Sequence, residues 1–214
     1  MISFSTDLRS SLSTIRNQGQ RETCLAFAAS DAHALSHNRP MADLSAEYAH
    51  YHACRRMPVF DPHQGTSGQV MLQAIENDGQ PPESEWPYLA ALPADLSAYV
   101  PPAIASGVIQ KRGEELNTLA DADAALKADL PVIMGLALSM AFFRLQSTTI
   151  LIADPDPIVR GTHAVLAVGK FSSLEGPGYL IRNSWGTGWA ASGYGLISEA
   201  YLVSRILFLG VFRA

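Results

Sequence analysis

The sequence has few cysteines, few basic residues and no long apolar run, and each shortage excludes a class of protein. Only Cys24 and Cys54 occur among 214 residues, so a small fold stapled by several disulfides is excluded. The longest strongly apolar stretch, 131–143, is too short for a membrane span, which needs about 20 apolar residues. The 15 basic and 20 acidic residues give a net charge of −5 without a basic run, so we expect no nucleic-acid partner.

The N-terminal segment lacks the apolar core of a secretory signal. Residues 1–13 mix Asp7 and Arg9 with several serines, whereas a signal peptide needs an uninterrupted apolar region and a cleavage site. We therefore expect no Sec signal peptide. The expected location is cytoplasmic, or the chain is delivered by a signal-independent secretion route.

What the sequence does contain is a helical first half and a β-rich second half. Apolar spacing and end signals predict helices at 24–37, at 45–55 and from 65–67 to Gly79. Thr118 and Asp121 resemble a capping box that begins a fourth helix. Short apolar or β-branched runs then predict strands at 132–138, 148–153, 164–170, 179–183 and 194–198.

This organisation predicts a single α+β domain over 1–214. A helical lobe would cover about 11–100 and a β-rich lobe about 101–214, with a cleft between them. The chain is long enough to bury a substantial core without metal or disulfide.

Cys24 is the candidate nucleophile. It follows Asn-Gln-Gly-Gln-Arg-Glu-Thr and begins an apolar, small-residue helix, whose positive dipole end favours the reactive thiolate. His163 and Asn183 follow in the order Cys, His, Asn. An imidazolium at His163 would stabilise the thiolate and later protonate the leaving amine, and Asn183 would fix the orientation of the ring.

Two further residues complete the candidate site. Gln18, six residues before Cys24, could place its side-chain amide beside the Cys24 backbone N–H to form an oxyanion hole. Trp185 could shield the hydrogen bond between His163 and Asn183 from water. The other histidines have no neighbours spaced as in a zinc site, so we expect no metal.

The chain resembles the papain-like (cathepsin-type) cysteine peptidase family, and its bacterial members without a propeptide more than the lysosomal ones. The matching segments occur in family order, at 17–27, 44–48, 79–88, 161–169 and 183–195. The resemblance implies a papain-like two-lobe fold, with a helical left lobe, a β-barrel-like right lobe and the active-site cleft between them.

The resemblance also implies roles for particular residues. The catalytic set would be Gln18, Cys24, His163 and Asn183, and the substrate-binding set Gly65, Thr66, Ser67, Thr162 and Trp185. No cofactor is implied. The expected partners are a protein or peptide substrate and a proteinaceous inhibitor, and the expected state is a monomer.

The sequence departs from the family pattern near the centre of the site. Arg21 replaces a cysteine that forms a disulfide, Glu22 replaces a glycine, Leu25 replaces an aromatic residue, and Thr162 replaces Asp or Asn. The first change removes a disulfide, and we expect the others to alter specificity more than chemistry.

Three functions remain open at this point. The first is a thiol endopeptidase with an apolar preference at P2, the second substrate residue before the cleaved bond. The second is an acyltransferase or deamidase that acts on one specific protein through the same site. The third is a non-catalytic binding module that keeps the fold.

Overall fold

A computed structural model of the chain describes residues 1–37, 43–104, 107–152 and 158–213. The first half contains three helices, α1 (Cys24–Ser36), α2 (Ala46–Arg56) and α3 (Gly68–Asp78). Serine caps begin two of them: the Ser45 hydroxyl accepts from the Tyr48 backbone N–H, and the Ser67 hydroxyl from that of Val70. Such caps satisfy donors that the first helical turn leaves free. The three predicted helices are therefore confirmed.

Helix α1 is buried on nearly all sides. Every residue from Leu25 to Ala34 is buried, including the polar Ser30, Asp31 and His33. Its many alanines allow the helix to lie close to its neighbours, and the carbonyl of Ala26 accepts the Ser30 hydroxyl. This burial fixes the position of the first residue of the helix, Cys24.

The second half forms one mixed sheet, to which strand β1 (Ser3–Asp7) from the N-terminus also belongs. The other strands are β2 (Arg112–Glu115), β3 (Val132–Leu138), β4 (Ile150–Leu151), β5 (Gly161–Ser173), β6 (Gly176–Arg182), β7 (Tyr194–Ser198) and β8 (Ile206–Arg213). Their order in the sheet is β2-β8-β3-β5-β6-β7-β4, and β1 pairs with β5. The pairing is antiparallel except between β4 and β7.

The sheet does not close into a barrel within the described residues, because its end strands β2 and β4 do not pair with each other. The β-rich lobe is thus a long, open sheet rather than the barrel-like lobe that the resemblance implied. Three helices accompany it: α4 (Leu119–Lys127), α5 (Met140–Phe143) and α6 (Glu199–Leu202). Helix α4 begins at the predicted capping box of Thr118 and Asp121, which the structure confirms.

Three strands were not predicted from the sequence. Strands β1 and β2 are polar edge strands, and the apolar strand β8 pairs with β2 on one side and β3 on the other. Strand β4 covers only two residues of the predicted 148–153, of which residue 153 lies outside the described part of the chain.

The register of the sheet places two candidate catalytic residues. His163 lies on β5 opposite Leu136 of β3, a fully buried residue. Asn183 directly follows the last residue of β6, which pairs with β5. Among the described residues, no helix is both long and apolar enough to span a membrane.

Candidate active site

Cys24 is the first residue of α1 and lies against the strand that carries His163. Its Sγ accepts a hydrogen bond from the backbone N–H of Ala164 at 3.4 Å. Ala164 is the residue after His163, so this contact joins the start of α1 to β5. The thiol therefore lies where the helical and β-rich parts of the chain meet.

His163 and Asn183 are in direct contact. The Nε2 atom of His163 lies 2.7 Å from Oδ1 of Asn183, and the Ser184 backbone N–H donates to the same oxygen at 2.8 Å. An atom that accepts from a backbone N–H must be the amide oxygen, so His163 Nε2 carries the hydrogen in this bond. The second ring nitrogen, Nδ1, takes no part in this bond.

Burial opposes charge on both Cys24 and His163. It raises the pKa of the Cys24 thiol, against the N–H groups of Ala164 and Leu25, which lower that pKa; the Glu22 carboxylate raises it further. Burial also lowers the pKa of His163 to about 4, against the Asn183 hydrogen bond, which favours the charged ring. A charged form of either residue is therefore disfavoured here unless a counter-ion lies beside it.

Gln18 is buried and held at both ends of its side-chain amide. Its Nε2 donates to the Arg21 carbonyl at 2.8 Å, and its Oε1 accepts from the Ser184 hydroxyl at 2.7 Å. The backbone N–H of Gln18 also donates to the Ser184 carbonyl at 2.8 Å. Since the amide nitrogen carries two hydrogens, one remains for another acceptor.

A cleft with a cavity volume of about 300 Å³ opens beside Cys24 and His163. Four residues expected to bind substrate line it: Gly65, Thr66, Ser67 and Thr162. Three apolar residues that sequence reasoning did not single out also line it: Leu136, Leu207 and Phe208. The last two lie on β8, and the apolar run at 206–212 was the signal that could have identified this strand.

Trp185 does not line this cavity but covers the histidine. Its ring centroid lies 4.5 Å from that of His163. The ring of Phe143 stacks on Trp185 at 5.5 Å, and that of Phe142 meets it edge-on at 5.6 Å. Phe142 is fully buried and also stacks on Trp189 at 5.2 Å. An aromatic cluster therefore surrounds His163 on the side away from the cavity.

Arg21, which stands where the family has a cysteine, forms a buried ion pair. Its two terminal nitrogens donate to the two carboxylate oxygens of Glu47 at 2.6 and 2.9 Å. Glu47 is fully buried and also accepts from the Tyr99 hydroxyl and the Leu89 backbone N–H. The segment before Cys24 is thus attached to α2 by charge instead of a disulfide.

A second buried ion pair joins α1 to the strand that leads to Asn183. Asp31 on α1 accepts from Arg182 Nε at 2.7 Å and from Arg16 at 2.7 Å. Arg182 is the last residue of β6, directly before Asn183. These bonds join the helix that begins at Cys24 to the residue directly before Asn183, which contacts His163. Within the described ranges, no cluster of His, Cys, Asp or Glu could hold a metal ion.

Comparison with known families gives one match over most of the chain. A family model described as "Papain family cysteine protease" matches residues 2–204. Among curated proteins, cysteine proteinase 3 of Entamoeba histolytica is 26% identical over 200 residues, which cover 91% of this chain and 62% of that protein. The chain spans about three fifths of the length of the curated relatives it matches first.

Solved structures share the fold. Digestive procathepsin L 3 from Tenebrio molitor larval midgut has a TM-score of 0.77 at 20% identity, over 98% of this chain and 69% of that one. Xylellain, a cysteine protease from Xylella fastidiosa, has a TM-score of 0.74 at 20% identity, over 98% of this chain and 85% of that one. The papain-like two-lobe α+β fold is therefore confirmed. Because the matches come from an amoeba, a beetle and a bacterium, the resemblance to bacterial members in particular stays a prediction.

Proposed function

The chain belongs to the papain family of cysteine proteases, and we propose that it hydrolyses peptide bonds with Cys24 as the nucleophile and His163 as the acid and base. One observation carries the proposal. The N-terminus of α1, strand β5 and the end of β6 bring a thiol, an imidazole and an orienting amide together beside an open cleft. That constellation suits acyl transfer to sulfur.

In the first step, Cys24 Sγ attacks the carbonyl carbon of the peptide bond, and His163 Nδ1 holds the proton of the thiol. The same nitrogen then gives the proton to the departing amine, so the C–N bond breaks and a thioester remains. Water next attacks the thioester and gives its proton to His163 Nδ1. The acid product leaves, and the proton returns to the sulfur.

Asn183 and the aromatic cluster act through His163. Since His163 Nε2 donates its hydrogen bond to Asn183 Oδ1, the lone pair of neutral His163 lies on Nδ1. Trp185 keeps water from this hydrogen bond. Gln18, whose amide has one hydrogen left, and the Cys24 backbone N–H would stabilise the developing oxyanion. Loss of one such donor costs about 3–4 kcal/mol in the barrier.

We also propose an apolar preference at P2. The cleft beside Gly65, Thr66 and Ser67 is lined by Leu136, Leu207 and Phe208, and apolar walls favour an apolar side chain. A positional peptide library in which charged P2 residues are cleaved faster would contradict this preference.

The decisive experiment is intact-protein mass after treatment with an epoxide that alkylates activated thiols, together with peptide hydrolysis. We expect one adduct on the wild type, none on Cys24→Ala, and much slower labelling of His163→Ala. Cys54→Ala is the matched control and should keep the adduct, because Cys54 is almost fully buried and does not line the cleft.

The outcomes separate the three functions. Labelling at Cys24 with hydrolysis of peptides supports the peptidase. Labelling without hydrolysis would instead favour an acyltransferase or deamidase, to be identified from the mass change of a protein target. A folded wild type that forms no adduct and cleaves nothing would contradict catalysis and favour a binding module.

A further inference from the structure

The cleft contains one carboxylate and no lysine or arginine among the described residues that line it. That carboxylate belongs to Glu22. The other lining residues, His163 apart, are uncharged side chains or glycines. A negative charge in a wall of this kind gives the cleft a preference for positive ligands.

The charge of Glu22 is not neutralised by any residue that the structure describes. Glu22 is exposed, and no described side chain forms an ion pair or hydrogen bond with its carboxylate. The neighbouring Arg21 does not pair with it: the terminal nitrogens of Arg21 donate to Glu47 and to the Leu89 carbonyl at 2.7 Å, and its buried Nε has no hydrogen-bond partner among the described residues. The carboxylate therefore faces solvent and whatever occupies the cleft.

The position of Glu22 is close to the reacting atoms. It precedes Cys24 by two residues, and both line the same cavity. Gly65 is adjacent to Glu22, because a β-carbon added there would lie 3.7 Å from the Glu22 carbonyl oxygen and 3.9 Å from its Cβ. The charge of Glu22 also reaches Cys24, since it raises the pKa of the thiol.

We propose that Glu22 selects substrates with lysine or arginine at P1, the residue that carries the cleaved carbonyl. This inference rests on the proposed peptidase function and names its substrate class. The carbonyl carbon of P1 becomes bonded to Cys24 Sγ, so the P1 side chain starts next to the sulfur. A long cationic side chain can place its charge beside Glu22 while its methylene stem lies against the cleft wall.

The test compares kcat/KM for peptides that share an apolar P2 residue and differ only at P1, which is Lys, Gln or Glu. For the wild type we expect Lys to exceed Gln by about fivefold, the upper range for an exposed ion pair. Raising the salt concentration should shrink this ratio because salt screens exposed charges. Glu22→Gln should bring the ratio near one, and Glu22→Lys should make Glu the preferred residue.

Glu175→Gln is the matched control, because it removes one exposed negative charge outside the cleft. In this variant, the ratio of kcat/KM for the Lys peptide to that for the Gln peptide should equal the wild-type ratio. If the Lys preference persists in Glu22→Gln while the Gln peptide is still cleaved, the inference is wrong and the peptidase function stands. If neither the wild type nor any variant cleaves the peptides, and none forms the epoxide adduct, the peptidase function is wrong and the inference is wrong with it.

Discussion

Buried polar and charged groups are hydrogen-bonded to one another on the Cys24 side of the cleft, whereas aromatic rings surround His163 on the other side. The Cys24 side, defined by Arg21, Glu47 and His33, depends on directional hydrogen bonds between buried polar atoms. The histidine side, defined by Phe142, Phe143, Trp185 and Trp189, depends on ring packing.

The two kinds of support respond differently to change. A buried charge that loses its partner is left without solvation, so removing one member of a pair costs far more than the pair contributes. A ring that loses a neighbour loses only contact area and a modest electrostatic term. The Cys24 side should therefore be sensitive to single substitutions, and the aromatic cluster of the histidine side much less so.

The largest expected effect is that of Glu47→Gln, which keeps the shape of the side chain and removes the charge opposite Arg21. Because Arg21 would stay buried and unpaired, we expect the free energy of unfolding to fall by about 3–5 kcal/mol. Urea unfolding of the wild type and the variant measures the change.

An exposed ion pair in the same chain provides the control. Arg213 and Glu114 form a pair at 2.9 Å with side chains 38% and 44% exposed, so Glu114→Gln should cost at most about 1 kcal/mol. Equal losses for the two variants would show that burial does not distinguish the pairs.

The second prediction concerns His33, which is fully buried on α1. Its Nδ1 donates to Gln80 Oε1 at 2.8 Å, while its Nε2 is buried without a partner. Burial lowers its pKa from 6.5 to about 4, against the Gln80 hydrogen bond, with smaller lowering contributions from His37 and Lys111.

The direction in which pH changes the stability follows from proton binding at His33. Between pH 6.5 and 4 the unfolded chain binds a proton at His33 that the folded chain does not, so stability falls as the pH falls through this range. At pH 4 this residue has lowered the free energy of unfolding by about 3 kcal/mol.

His33→Asn should flatten the pH dependence of unfolding by about this amount, whatever it costs at neutral pH. The remaining slope includes His163 and His50, whose pKa values burial also lowers. An unchanged slope, measured by urea unfolding from pH 7 to pH 4, would contradict the assignment.

The smallest expected effect belongs to the histidine side. Phe143→Ala removes the ring stacked on Trp185, which should cost about 1 kcal/mol in stability and lower kcat a few-fold, because Trp185 then covers His163 less firmly. Thermal unfolding and peptide kinetics measure the two changes.

Phe4→Ala separates activity from stability in this experiment. Phe4 is 39% exposed, close to the 43% of Phe143, and packs edge-on against Phe171 on β5 at 6.2 Å. The Phe4→Ala variant should lose about as much stability as Phe143→Ala but keep the wild-type kcat. Equal loss of kcat in both variants would mean that the effect of Phe143 is only a general loss of stability.

Sequence reasoning was accurate where the cause of a structure is local. The caps of α2 and α4 depend on residues three apart, Ser45 with Tyr48 and Thr118 with Asp121, and a sequence displays such pairs directly. Strand β3 was predicted at its observed bounds because an apolar run between turn signals marks a buried strand. The polar strands β1 and β2 lack this signal and exist through their partners β5 and β8.

By itself, the sequence determined the family, the order of Cys24, His163 and Asn183, and the helix that begins at the thiol, because these follow from residue types and short spacings. Only the tertiary structure decided that Arg21 pairs with Glu47, that Leu207 and Phe208 line the cleft, and that Glu22 is exposed there. These facts depend on which distant residues meet and on what water can reach. The spacing of neighbouring residues determines neither of these.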